Sequence, residues 1–203
     1  MILTVLYYPD KRRYSLQELE EKLGFYYIPE IAFESPEIRQ DIWEKGIDLW
    51  VKRETSEEAE RLGALFHDKI ESGFIRDVSV RFIDDRVEHG LFAEERIEAG
   101  SYVGEYVGVI RENDIRRYMG KLNNYCYNYP VKDALDRDYV IDAQNGNLTR
   151  FINHDSEPNL EPHHVFYAGF YHLIFLAKRL IEKGEELSYD YGKNYWQLRE
   201  PPV

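Results

Sequence analysis

The sequence predicts a mostly β, α+β domain that follows a helical N-terminal segment, and three observations predict it. From Val78 onward apolar residues alternate, with Ser79 and Arg81 between Val78, Val80 and Phe82, which is the period of a strand with one buried face. Short candidate strands then recur between turn signals, an arrangement that argues for small sheets. Before residue 75 the pattern differs, because three stretches open with helix-start residues and continue at helical spacing. The boundaries read as a mainly helical appendage over 1–75, a β-rich domain over 76–196 and a tail over 197–203.

The apolar run at the N-terminus, 1–8, reads as a short strand. It lacks the basic flank and small-residue cleavage site of a signal peptide. Ser15-Leu16-Gln17-Glu18 is a capping box for a helix through Leu16, Leu19 and Leu23, stopped by Gly24. Ser35-Pro36-Glu37 starts a second helix, with the proline in its first turn and Ile38, Ile42 and Trp43 following. Thr55 with Glu58 opens a third, through Ala59, Leu62, Leu65, Phe66 and Ile70 to Gly73.

Beyond Val78, strands are expected at 90–94, 102–110, 125–129, 138–142, 164–168 and 171–178, with a short helix over 112–120. Glu98-Ala99-Gly100, Asn145-Gly146-Asn147 and Glu182-Lys183-Gly184 mark turns between them. The alternating Tyr125, Tyr127 and Tyr129 read as one strand face or as an aromatic slot. Gln197-Leu198-Arg199-Glu200 reads as a final turn stopped by Pro201-Pro202.

Composition sets outer bounds. At 203 residues the chain can bury a substantial core, and no stretch is long and apolar enough for a membrane helix. A single cysteine, Cys126, excludes an internal disulfide and a multi-cysteine zinc cluster. The net charge of −12 does not suit direct phosphate or nucleic-acid binding; it keeps a protein soluble and would steer a basic protein partner.

Two irregular stretches are the candidates for chemistry. Arg150-Phe151-Ile152-Asn153-His154-Asp155-Ser156-Glu157-Pro158-Asn159-Leu160 combines a cation, amides and an imidazole with residues that favour turns. Downstream lies Gly184-Glu185-Glu186-Leu187-Ser188-Tyr189-Asp190-Tyr191-Gly192. If the two meet, Asn153 and His154 face a pair of tyrosines. A competing reading takes His154, Asp155, Glu161, His163 and His164 as metal ligands, although their spacing fits no metal motif and adjacent histidines in a strand point opposite ways.

Arg-Phe-Ile-Asn-His with Pro-Asn, then Gly-Glu-Glu-Leu-x-Tyr-Asp-Tyr-Gly, resembles the SET-domain protein lysine methyltransferases. His89-Gly90-Leu91-Phe92-Ala93, Gly104-Glu105-Tyr106-Val107-Gly108 and Tyr139-Val140-Ile141-Asp142-Ala143 extend the resemblance, in the family's order, over about residues 78–196. It implies a SET-type fold of several small sheets with a pseudoknot near Asn153-His154, and a SET-like catalytic domain over 76–196. It also implies S-adenosylmethionine as methyl donor and a histone or histone-like protein as substrate. A SET-like module that binds a protein without strong catalysis is the alternative.

Carried onto this sequence, the resemblance places Tyr125, Tyr189 and Tyr191 in a lysine channel, with Tyr191 as the essential tyrosine. It places His89, Gly90, Tyr139, Arg150, Asn153 and His154 around the cofactor; Tyr195 and Trp196, just after Gly192, are the candidates to close the channel and pack on the cofactor. Tyrosine rather than phenylalanine at 189 implies mainly monomethyl product. The chain departs from the family where Glu88 replaces the usual glycine, a carboxylate then expected to contact the cofactor by pairing with its methionine ammonium, and where Asp155-Ser156 replaces Ser-Cys, so no structural zinc is expected. The resemblance is compatible with nucleus or cytoplasm, or with a bacterial protein that stays in the cytoplasm or is delivered into a host cell.

Overall fold

The computed structural model describes residues 4–8, 10–114, 123–133, 135–196 and 199. The short helix expected over 112–120 falls mainly outside the described residues, as do the start of the 1–8 strand and nearly all of the 197–203 tail.

The N-terminal segment holds β1 (Thr4–Tyr8), β2 (Arg12–Ser15), α1 (Leu16–Leu23), β3 (Ala32–Phe33), α2 (Pro36–Val51) and α3 (Glu57–Glu71). α1 has the capping box that the sequence predicts: Ser15 Oγ accepts from the Glu18 amide, and Glu18 accepts from the Ser15 amide. Gly24 closes α1 in the left-handed region, φ 69°. Ser35 caps α2, with Pro36 in its first turn. α3 starts one residue later than expected: Ser56 is the cap, accepting from the Ala59 amide, while the Thr55 hydroxyl turns to Glu60. A side-chain oxygen at either position suits a cap; Ser56 takes it, and the buried Thr55 hydroxyl is satisfied by Glu60 instead.

The β-rich part holds β4 (Val78–Phe82), β5 (His89–Ala93), β6 (Tyr102–Glu105), β7 (Val109–Glu112), β8 (Cys126–Lys132) and β9 (Asp138–Asp142). A 3-10 turn, Leu148–Phe151, leads to β10 (Asn153–His154), β11 (Leu160–Tyr167), β12 (Phe170–Ala177), β13 (Ser188–Tyr189) and α4 (Lys193–Trp196). The strands form four small sheets: β2-β1-β4-β5, β3-β7-β9-β8, β11-β12-β6 and the pair β10-β13. This is the mostly β, small-sheet architecture of a SET-type fold. β1 runs parallel to β4 and β3 parallel to β7, so the N-terminal segment shares two of the sheets.

The single strand expected over 102–110 is two strands in two different sheets, β6 against β12 and β7 against β9. The chain changes sheet at 106–108, where Gly108 passes so close to the Asp142 carbonyl that a Cβ would collide with it. β8 runs on through Pro130, and its register against β9 shifts between Asn128 and Lys132, the kind of irregularity that accommodates a strand proline.

The main core joins the sheets through Leu19, Ile42, Val80, Leu91, Ile97, Val103, Ile110, Ile141, Leu160, Leu173, Phe175, Ile181 and Leu187. A smaller cluster under α3 holds Leu62, Ile70, Tyr102, Val165 and Ile174. α1 fully buries only Leu19, so truncating it to alanine would cost about 2–5 kcal/mol and loosen the helix from the core.

Candidate active site

The site begins with a two-residue parallel pairing. β10 lies beside β13 with Asn153 opposite Ser188 and His154 opposite Tyr189. The two stretches that the sequence singles out therefore meet, where the resemblance implies a threaded crossing. So short a pairing needs other support, and Asn159 supplies it. Its amide nitrogen donates to the Glu186 carbonyl at 2.8 Å, and its amide oxygen accepts from the Ser188 amide at 3.0 Å. Both groups of a buried side chain are thereby satisfied.

Asn153 ties in a third segment. Its Nδ2 donates to Glu186 Oε1 at 2.9 Å and to the His89 carbonyl at 3.1 Å. Burial pushes the Glu186 carboxyl above its usual pKa, and the bond from Asn153 partly offsets this. Gly90 is needed here for side-chain packing: a Cβ would stand 2.6 Å from Glu186 Oε1 and 3.1 Å from Asn153 Nδ2. The requirement comes from neighbouring side chains, whereas the resemblance places Gly90 around the cofactor.

Beside this junction opens a cleft of about 560 Å³. Of the site residues proposed from sequence, Glu88, His89, Arg150, Asn153, His154 and Trp196 line it, together with Tyr125 and Tyr191. Three others do not. Gly90 sits behind it, as described. Tyr139 is buried on β9 with its hydroxyl donating to Asp41 of α2 at 2.8 Å, so its contact is with the N-terminal helix. Tyr189 is buried behind Tyr191, their ring centroids 4.7 Å apart.

α4 closes one end of the cleft. Tyr195 packs edge-on to Tyr191 at 4.6 Å, and Trp196 packs on His154 at 4.8 Å while lying nearly parallel to Tyr191. The aromatic pair that the sequence offers as a closing element thus sits on the tyrosine and the histidine of the two motifs. Arg86, Val87, Asn124, Phe151 and Arg199 also line the cleft and were missed from sequence. Arg86 and Val87 follow Asp84, whose carboxylate accepts from both of their amides at 2.9 and 2.8 Å. That Asp-led turn just before His89-Gly90 was the available signal.

Tyr125 and Arg150 are fixed through the backbone. The Tyr125 carbonyl accepts from the Tyr106 hydroxyl and from the Ala143 amide, and Arg150 Nε donates to the Ala143 carbonyl. The Arg150 guanidinium lies 4.2 Å from the centroid of the Tyr125 ring, a cation–π contact. Burial lowers the pKa of His89, which favours the neutral imidazole, and Tyr7 bonds to its Nε2.

The tyrosine group is continuous. Tyr191 meets Tyr189, and Tyr189 meets Tyr127 at 6.3 Å and Phe175 at 4.9 Å. Burial pushes the phenols of Tyr106, Tyr189 and Tyr191 well above their ordinary pKa, so all three stay protonated at neutral pH. Such a wall is apolar with polar hydroxyl tips, suited to strip water from an amine and to orient it.

The alternative metal cluster is dispersed. His154 lines the cleft, His163 pairs with Glu161 at 3.4 Å, and His164 packs on Tyr127. Among the described residues no group of three or more His, Cys, Asp or Glu could hold a metal ion. Among the same residues no helix is long and apolar enough to cross a membrane.

Comparison with known proteins agrees with this geometry. The family model of the SET domain matches residues 88–192. The chain is 39% identical over 118 residues to histone-lysine N-methyltransferase EHMT1 of Homo sapiens, covering 54% of this chain and 9% of that protein. It is 40% identical over 107 residues to histone-lysine N-methyltransferase trithorax of Drosophila melanogaster, covering 50% and 3% respectively. It is 35% identical over 143 residues to N-lysine methyltransferase KMT5A-A of Danio rerio, covering 67% of this chain and 40% of that protein. The matched stretch spans less than half the length of each of these relatives. Because the match covers more than half of the chain and takes in both motif stretches, the chain belongs to the SET-domain family.

Proposed function

We propose that this chain is a protein-lysine N-methyltransferase that uses S-adenosylmethionine and acts on a lysine of a basic, histone-like protein, leaving mainly monomethyl-lysine. The observation that carries the reading is the place of Tyr191. Its ring borders the cleft with Asn153 and His154 on one side and the buried Tyr189 on the other. The names of the relatives support the reaction, two being histone-lysine and one N-lysine methyltransferase. The net charge of −12 supports a basic substrate.

The residues present fit the cofactor. The cleft is large enough for a nucleoside joined to an amino acid, and its flat aromatic rings suit a purine and a sulfonium. Trp196, His154 and Asn153 would hold the nucleoside, and Arg150, His89 and Glu88 the amino-acid part. When bound, S-adenosylmethionine supplies an electrophilic methyl on a positively charged sulfur.

The chain's own residues must present a neutral amine. A free lysine, with pKa about 10.4, is protonated in water, and an apolar wall beside a positive centre disfavours that charge. The phenols are not bases, because burial raises their pKa. Tyr191 spends its proton on the Ile152 carbonyl, at 2.9 Å, so its oxygen lone pairs remain to orient donors. Tyr189, buried behind Tyr191, would hold a water that limits further methylation.

The test is transfer of labelled methyl from S-adenosylmethionine to a core-histone mixture, with Tyr191→Phe in parallel. Labelling lost in the variant supports the reading; cofactor binding with no turnover on any basic protein overturns it. That second outcome would favour the binding-module reading, which Glu88, standing where the family has glycine, supports.

A further inference from the structure

A second cavity, of about 670 Å³, lies away from the cleft and shares no residue with it. One wall is α2, which contributes Trp43, Ile47 and Trp50. The other is α3, which contributes Glu60, Ala64 and His67. Each set is spaced i, i+4, i+7, so each is one stripe along its helix. The floor is the turn between β11 and β12, at Phe166–Gly169.

The groove is closely built and, among the described residues, uncovered. A Cβ at Gly46 of α2 would collide with the Gly169 carbonyl, and one at Gly63 of α3 with the Phe166 carbonyl. Both helices therefore rest directly on the backbone of the turn, and larger residues would push them off it. Yet Trp43 is 39% exposed and Trp50 50% exposed. Two tryptophans left in water on a fixed concave surface mark a place where another molecule packs. Two facing helical stripes make the trough that accepts a third helix.

Charge selects the kind of helix. Among the described residues neither lysine nor arginine lines the groove, whereas Glu60 does. Two further carboxylates are bonded to lining residues: Asp68 to His67 at 2.9 Å and Glu71 to the Tyr167 hydroxyl at 2.5 Å. We propose that this groove docks one amphipathic helix of a partner protein, with apolar residues at i, i+3 or i+4, and i+7 against Trp43 and Trp50, and with Lys or Arg toward Glu60, Asp68 and Glu71. A second copy of this chain is a poorer occupant, because two chains of net charge −12 would bring acidic rims together. The inference stands on the groove alone and does not depend on the methyl-transfer reading.

The experiment uses the full chain and three fluorescein-labelled 18-residue probes read by fluorescence anisotropy. One is a helix of Leu and Lys with leucine at i, i+3, i+4 and i+7; one has Glu in place of Lys; one is the Leu/Lys peptide with its order scrambled. The first should bind about tenfold or more tighter than either other probe, with the tryptophan emission shifting to the blue. Trp50→Ala and Ala64→Arg, both at exposed positions, should each weaken it about tenfold or more while leaving the melting curve unchanged. Should Trp50→Ala fail to fold, Ala64→Arg decides. Equal binding of the scrambled peptide would mean charge attraction only. Unchanged binding in both variants would put the contact elsewhere. A dimer in sedimentation velocity that Trp50→Ala dissolves would make a second copy the occupant. Any of these three results overturns the proposal.

Discussion

The Tyr191 hydroxyl donates to the Ile152 carbonyl at 2.9 Å, across 39 residues of sequence. This bond holds the phenol oxygen in one place, between the buried tyrosines and the cleft. Tyr191→Phe removes the oxygen and leaves the carbonyl unpaired. The expected cost in stability is about 1 kcal/mol, a fall in Tm of about 2–4 °C. The expected loss of methyl-transfer rate is far larger, about a hundredfold, because alignment of the amine is lost. Single-turnover kinetics beside a thermal melt separates the two; a rate loss no larger than the stability loss explains would contradict the role.

Tyr189 stands behind Tyr191, their ring centroids 4.7 Å apart. If Tyr189 anchors a water as proposed, Tyr189→Phe should remove that anchor and admit further methyl groups. A difference of about 1 kcal/mol moves the product ratio roughly fivefold toward di- and trimethyl-lysine. Mass spectrometry of the product reads the outcome, and an unchanged distribution would remove Tyr189 from product control.

Glu88 adopts φ 64°, the left-handed region that disfavours side chains with a Cβ. It is held there by bonds from its amide to Asp84 and from the Ile83 amide to its carbonyl. Glu88→Gly relieves the strain and should raise stability by about 1 kcal/mol, after the greater unfolded-state freedom of glycine is allowed for. The denaturant midpoint should rise with an unchanged slope. A lower midpoint would show that the carboxylate is worth more than the strain.

Burial raises the pKa of Tyr106, Tyr189 and Tyr191 above the ordinary value of the phenol. Their neutral forms are therefore favoured by folding. The stability that they contribute is fully present below the unfolded pKa and is lost as pH rises toward the folded values. The unfolding free energy should thus be insensitive to these groups below pH about 9 and should fall above pH about 10, by about 1.4 kcal/mol per pH unit for each group that ionises only on unfolding. Denaturation at a series of alkaline pH values, followed by phenolate absorbance, checks this. Early ionisation of all three in the folded chain would contradict their burial.

Local rules carried the reading where one segment decides its own structure. The capping box at Ser15, the stop at Gly24 and the proline start at Pro36 each satisfy nearby backbone groups, so α1 and α2 could be placed from neighbours alone. The two motif stretches were legible because their residue types are rare in regular elements. Errors arose where a distant segment decided. The 102–110 run broke because Gly108 meets Asp142 from another strand. Tyr139 turned to Asp41, 98 residues away, instead of the cleft.

The sequence by itself determined the mostly β class, the helical start, the two motif stretches and the tyrosine set, because these follow from periodicity, caps and residue type. Tertiary structure decided that Asn153 faces Ser188, that Asn153 clasps Glu186 and the His89 carbonyl, and that α4 covers Tyr191. It also decided that α2 and α3 leave a groove between them. These are contacts between segments far apart in the chain. They are set by which buried polar groups can satisfy one another and by how closely backbones can pack, and neither quantity is written in any local pattern.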